Sequence, residues 1–515
     1  MNRISGYSGD VEKLLFRRQF LIGPTTFQPN KYWDSIKLNH DLYVSIHEDL
    51  DFIRKTEGDN TVILIGISID CTDSSKSQEQ ILDTLFTSFK NIQSIIEASK
   101  PLAGRWAIIC QNSTDTLIFN DPVGVRQVFY YLDSDKKSMW CASQPTLIKQ
   151  VTTLSESADQ ALIDFKNSRD YIKRESAWIG NKTIYEDCYH LMPNHYLSFK
   201  QAGQIRFFPE HIISRNNDVN KLANETAEYL ENIIKCAFNR YNIKIAVTSG
   251  FDSRILLAAT RDIADKADYY VEDLGYLRNY DGDIWVPKLL AKRLNLNFRV
   301  VPTSQATPET WFKEILENNV SRARVSPMIP KINSIYCKLT RNENRLAITG
   351  NITELVRIGM SGKNFEDKVT DHAGNANLDD IVEFSGYNHA FVYNEIEEWV
   401  KSVDISLIEE ANIFDLFFWE QRGGNWGGLY PSEQDIAIDG ISPFNCRLIL
   451  ETCLQVPREQ RITPDYHFFK LVINKLWPEV LTVPINPGPR GYGFFKQKMR
   501  EKLPDPVVNT LRKFI

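Results

Sequence analysis

The sequence predicts a two-part protein: an α+β part built on stacked antiparallel sheets, then an α/β part with a parallel sheet between helices. Three observations predict it. Up to residue 212 the chain is a series of strand-length apolar and aromatic runs with few helices between them. Around 213–218 (ISRNND) it turns polar, as a linker does. From 219 onward strand and helix patterns alternate, the mark of a parallel sheet. The expected parts are therefore 1–212 and 213–515.

In the first part, 61–69 (TVILIGISI), 104–110 (GRWAIIC), 116–119 (TLIF), 128–131 (VFYY), 138–142 (SMWCA) and 195–199 (HYLSF) read as strands. Asn, Asp, Ser, Pro and Gly clusters separate them. Only 79–89 and 158–171 look helical. In the second part, Leu222, Thr226, Leu230 and Ile234 mark one face of a helix over 219–240. Strands are expected at 243–247, 268–271, 298–301 and 345–349, and helices at 255–260 and 284–294. From about 379 the chain reads as mainly helical.

Composition narrows the setting. Of 515 residues, 43% are apolar and 24% charged, the mix of a soluble globular chain of several domains. A net charge of −6 lacks the basic excess of a nucleic-acid binder, so no nucleic-acid partner is expected. No apolar run reaches the ~18 residues of a membrane helix. Residues 1–20 mix charges into their apolar positions, unlike a secretory signal. The eight cysteines form no C-x-x-C pair and no Cys/His cluster, which suggests buried, reduced thiols in a cytoplasmic protein.

The chemistry is expected between strand 243–247 and the helix after it. There Val247, Thr248, Ser249, Gly250, Phe251, Asp252, Ser253 and Arg254 form a loop at the carboxyl end of a strand and the start of a helix. Such a place favours phosphate, because free N–H groups and the helix dipole face it. Thr248, Ser249 and Ser253 offer hydroxyls, and Gly250 allows close approach of the backbone. Asp252 would repel a phosphate unless a cation lay between them, so it reads as a Mg²⁺ ligand. The G-x-x-x-x-G-K-[ST] pattern of the P-loop is absent. A plain capped helix start is the alternative, since Ser, Thr and Asp are favoured caps.

The segment 248–253 (TSGFDS) resembles the S-G-G-x-D-S pyrophosphate loop of the asparagine synthetase family, which includes β-lactam synthetases and lasso-peptide cyclases. Further segments resemble that family in the same order. They are 102–108 (LAGRWAI), 121–131 (DPVGVRQVFYY), 141–144 (CASQ), 191–197 (LMPNHYL), 350–354 (GNITE), 439–444 (DGISPF) and 489–494 (PRGYGF). The resemblance implies a class II glutamine amidotransferase-like sandwich followed by a PP-loop synthetase domain. It implies ATP and Mg²⁺ as cofactors, and an AMP-forming ligase that adenylates a carboxylate and then forms an amide.

It also implies roles for single residues. Val247 through Ser253, with Gly350, would hold ATP and pyrophosphate, and Asp252 and Glu354 would hold the metal. Asp439 matches the acidic partner of the catalytic pair, and Arg490 lies near the family's catalytic Lys. Asn351 stands where the family has Glu or Tyr, and an amide cannot act as a base near neutral pH. Residue 2 is Asn where glutamine-dependent members have Cys, and the first cysteine is Cys71, so no glutaminase activity is expected. Nitrogen would come from ammonia, a separate amidotransferase or a substrate amine. The acceptor is a small-molecule, peptide or glycan carboxylate, with aspartate the default and a specialised amidation equally open. The aromatic stretch 417–426, with Arg422, lines the acceptor pocket or packs as core. The alternative to an enzyme is a non-catalytic nucleotide-binding or regulatory homologue of the same fold.

Overall fold

The computed structural model describes residues 11–39, 41–133, 138–273, 277–302, 310–324, 331–332, 344–357, 378–408, 413–462, 465–489 and 491. Two six-stranded antiparallel sheets occupy the first part. One runs β10 (Cys188–His190), β8 (Phe129–Asp133), β9 (Ser138–Ala142), β1 (Phe20–Gly23), β3 (Tyr43–His47), β2 (Trp33–Lys37). The other runs β12 (Gly203–Arg206), β11 (His195–Ser198), β7 (Thr116–Asn120), β6 (Leu102–Gln111), β5 (Asn60–Asp70), β4 (Phe52–Glu57).

The run at 61–69 lacks in–out alternation because β5 is covered on both faces. Ile63 and Ile65 pack against Phe20, Ile22 and Val44 of the facing sheet. Val62 and Leu64 pack outward on Leu82 and Leu85 of the helix Gln78–Ser88. Farther along, Ile67, Ile69 and Cys71 join the core built by the helix Val219–Arg240. That helix starts at the Asp218 side chain, which accepts the Lys221 N–H, and it buries Leu222, Thr226, Leu230, Ile233 and Ile234. One continuous apolar core thus joins the antiparallel sheets to the second part.

The second part is a five-stranded, wholly parallel sheet in the order β15 (Asn297–Pro302), β14 (Asp268–Asp273), β13 (Asn242–Ala246), β16 (Arg345–Ile348), β17 (Asp439–Ile441). From β13 the chain steps to β14 and β15 on one side, and later to β16 and β17 on the other. The switch point therefore lies between β13 and β16. The described part of the chain after 379 is mainly helical, as expected, and adds one strand: the three residues of β17 complete the sheet. Within that stretch, Phe418–Gly427 is a ten-residue π-helix. Among the described residues, no helix is long and apolar enough to cross a membrane. The seven described cysteines are buried free thiols.

Candidate functional site

The loop Val247, Thr248, Ser249, Gly250 leaves the carboxyl end of β13 and enters the helix Phe251–Ala258. Gly250 is the N-cap, and no side chain caps the helix. The helix therefore starts without a Ser, Thr or Asp side-chain cap. Instead the hydroxyls brace the loop from within. Thr248 N–H donates to Ser253 Oγ at 3.0 Å, and Ser253 Oγ donates to the Thr248 carbonyl at 3.2 Å. Ser249 donates from its N–H (3.0 Å) and its hydroxyl (2.7 Å) to Asp283, on the first turn of the helix Gly282–Leu294.

The far side of the loop is closed by the chain around 480–488. Arg254 is fully buried and donates to the carbonyls of Val480, Val483 and Pro484. Burial lowers its pKa to about 10, so it stays charged at neutral pH. Asn486 then donates its N–H to the Ser249 carbonyl at 3.0 Å. Arg490, the residue matched to a catalytic Lys, lies outside the described residues.

Across the switch point, Gly350, Asn351, Ile352, Thr353 and Glu354 follow β16. Thr353 N–H reaches back to the Asn351 carbonyl at 3.0 Å, forming a γ-turn with Ile352 at φ 81°, ψ −32°. A β-branched residue there costs about 1–3 kcal/mol, and strain of this kind concentrates at functional sites. The Asn351 carbonyl also accepts the Ser442 hydroxyl at 2.9 Å. Gly350 is pressed on Asp252: a Cβ added there would lie 2.8 Å from the Asp252 Cβ and carbonyl carbon. Gly350→Ala should therefore displace Asp252 and cost about 1–3 kcal/mol of stability, the effect of overpacking. A thermal melt checks this.

Asp252 is engaged from within the chain. Arg357 grips it in a bidentate pair, Nε to Oδ1 at 2.9 Å and Nη2 to Oδ2 at 2.6 Å. Burial pushes the Asp252 carboxyl up, and Arg357 only partly offsets it. Burial likewise raises Glu354; Arg422 counters that rise and the charge of Asp252 adds to it. Two acids that repel each other form a place for a dication. Among the described residues there is no cluster of three or more metal-ligating side chains. Mg²⁺ does not require one, since it commonly takes one or two carboxylates and completes its shell with phosphate and water.

Asp439 is not brought to this site. It opens β17 in register with Leu346, while Ser442, three residues on, reaches Asn351. That separation is about 10 Å along the strand, toward the sheet end opposite the loop. Its carboxylate faces Arg105 (3.1 Å) and Arg126 (3.5 Å) of the antiparallel sandwich. The expected pairing of Asp439 with position 351 is therefore corrected: strand register puts the acid at the wrong end. Arg357, Asp283 and Asn486 were not anticipated. Each lies outside the matching segments, and nothing in the sequence signals a contact with the loop.

No family model matches the chain, and no curated protein matches it. Among solved structures it is similar to glutamine phosphoribosylpyrophosphate amidotransferase from B. subtilis complexed with ADP and GMP. That match has 11% identity, covers 67% of this chain and 72% of the other, and has a TM-score of 0.23. A second, described as the allosteric regulatory enzyme of purine biosynthesis, matches at 9% identity over 66% of this chain and 70% of its own, with a TM-score of 0.23. Likeness at that level carries no argument about activity.

Proposed function

We propose that the chain binds Mg·ATP at the loop after β13 and adenylates a carboxylate, releasing pyrophosphate, before an amine or ammonia forms the amide. One observation carries this reading. The two segments expected to hold ATP and metal leave the carboxyl ends of the two strands that flank the switch point of a parallel sheet, where ligands of such sheets bind. Asparagine synthetase-like organisation, with the sandwich in a scaffolding role and no glutaminase chemistry, belongs to the same proposal. Buried Cys71, whose thiol is pushed up by its contact with Cys446 and by burial, offers no ready nucleophile for such chemistry.

In this reading Asp252 and Glu354 would hold Mg²⁺, whose chemistry is to neutralise the leaving pyrophosphate. The uncapped start of Phe251–Ala258 presents N–H groups to the phosphates, and the Thr248–Ser253 bonds hold the loop open. Arg357 leaves Asp252 for the phosphate when nucleotide enters. The test is isotope exchange between pyrophosphate and ATP across a panel of carboxylic acids. Acid-dependent exchange supports the proposal.

One observation favours the second reading, a nucleotide-binding protein without catalysis. The Arg357 pair already neutralises Asp252, as a retired metal ligand would be neutralised. ATP binding with no exchange for any acid would select it.

A further inference from the structure

A cavity of about 360 Å³ opens against the π-helix Phe418–Gly427, with Phe418 and Arg422 in its lining. Its wall is aromatic: Trp178, Phe384, Tyr387, Phe417 and Phe418. Two of these rings are fixed by their polar ends. Trp178 donates to the Lys182 carbonyl (2.8 Å), and the Tyr387 hydroxyl donates to the Ala177 carbonyl (2.7 Å). Three cations, Lys173, Arg174 and Arg422, line the same space against one acid, Glu175. Glu175 is itself drawn off, accepting the Trp426 indole N–H at 3.0 Å. The cavity thus combines flat apolar walls with a net positive rim.

Arg422 ties the cavity to the candidate nucleotide site. It stands in the π-helix Phe418–Gly427 with its guanidinium 3.9 Å from the Trp426 ring centre. Glu354 exerts the largest attraction of any carboxylate on it. The next residue, Gly423, packs so close to the turn after β16 that a Cβ would meet Leu355 Cδ1 at 3.1 Å. Arg422 and the residue after it therefore link the cavity wall to the turn that carries Glu354.

We propose that this cavity binds the acyl substrate, and that the substrate is a small carboxylic acid with a flat aromatic body. The rings take the body, and Arg422 pairs with the carboxylate. The role as acyl-substrate site rests on the adenylation reading; the binding chemistry does not.

The test is calorimetry on the full chain without nucleotide, using 3-phenylpropanoate, 3-phenylpropanamide and propanoate as probes. The aromatic acid should bind at least about tenfold more tightly than the amide, which lacks the charge, and than propanoate, which lacks the ring. Arg422→Gln should weaken the acid about tenfold, and Lys173→Gln, on the exposed rim, about twofold. Equal binding of acid and amide, no binding of the acid, or a folded Arg422→Gln that binds like wild type overturns the proposal. The probe series decides the matter even if that variant does not fold. ATP titrated into the same samples separates the two readings. Acid binding without ATP binding sinks the nucleotide site alone, and ATP binding without acid binding sinks the cavity alone.

Discussion

Asp252→Asn should cut acid-dependent ATP–pyrophosphate exchange by about a hundredfold or more, the scale of losing one charge aligned with a developing one. Asn keeps the size of the side chain and one acceptor for Arg357, so the fold should survive. Asp252→Ala should abolish exchange outright, with some loss of stability, because it strips the mostly buried Arg357 of both its 2.6 Å and 2.9 Å bonds. The Asn variant therefore decides between chemistry and folding. Exchange that survives in Asp252→Asn sinks the assignment of Asp252 as metal ligand. Arg357→Met separates the two readings of the bidentate pair. If Arg357 moves to the phosphates, the Met variant weakens ATP binding. If Arg357 only neutralises a disused acid, the Met variant frees Asp252, and ATP binding in Mg²⁺ holds or improves.

The sequence made long, periodic elements legible. The helix Val219–Arg240 was readable to its ends because its apolar residues recur at three and four positions. Strands β5 and β6 were readable because burial on both faces demands unbroken apolar runs. β1, β2, β3 and β4 were not read: they are short, and β2 and β4 are only partly buried, so polar residues blur their pattern. The π-helix Phe418–Gly427 has no sequence period of its own, so the helical reading after 379 did not single it out. Motif order pointed to the loop and the Gly350 turn, which the fold sets side by side, since each is local in the chain. Motif order misplaced Asp439, because whether an acid faces a site depends on the register of a three-residue strand. Arg357 was invisible for a related reason: its partner is 105 residues away.

The place where the structure does put Asp439 carries the other large expectation. Arg105 of β6 is buried and pairs bidentately with Asp435, at 2.6 and 2.7 Å, while it also donates to Asp439 at 3.1 Å. Arg126 approaches Asp439 at 3.5 Å, and Arg18 donates to the Asp435 carbonyl at 2.6 Å. Two buried guanidiniums, Arg105 and Arg126, thus meet the carboxylates of Asp435, just after the helix Gly428–Gln434, and of Asp439 on β17, with half-buried Arg18 beside them. Asp439→Asn removes one of two counter-charges and should cost about 3–5 kcal/mol, the scale of breaking a buried pair. Acid should act in the same direction. Burial alone would raise the Asp439 carboxyl, but Arg126, Arg105 and Arg18 outweigh it and hold it at about 2. A depressed folded-state value means that its stabilisation is complete above the unfolded pKa near ~4 and is lost as pH falls from there toward 2. Wild type should therefore lose about 2–3 kcal/mol through this group across that window, and Asp439→Asn should show a flatter profile there. Urea unfolding at stepped pH measures both. Exchange per folded molecule discriminates the roles: a clasp between the two parts leaves it near wild type in Asp439→Asn, whereas a catalytic acid would abolish it with the melt unchanged. The second result would return Asp439 to the reaction and would require β17 to shift toward the loop during turnover.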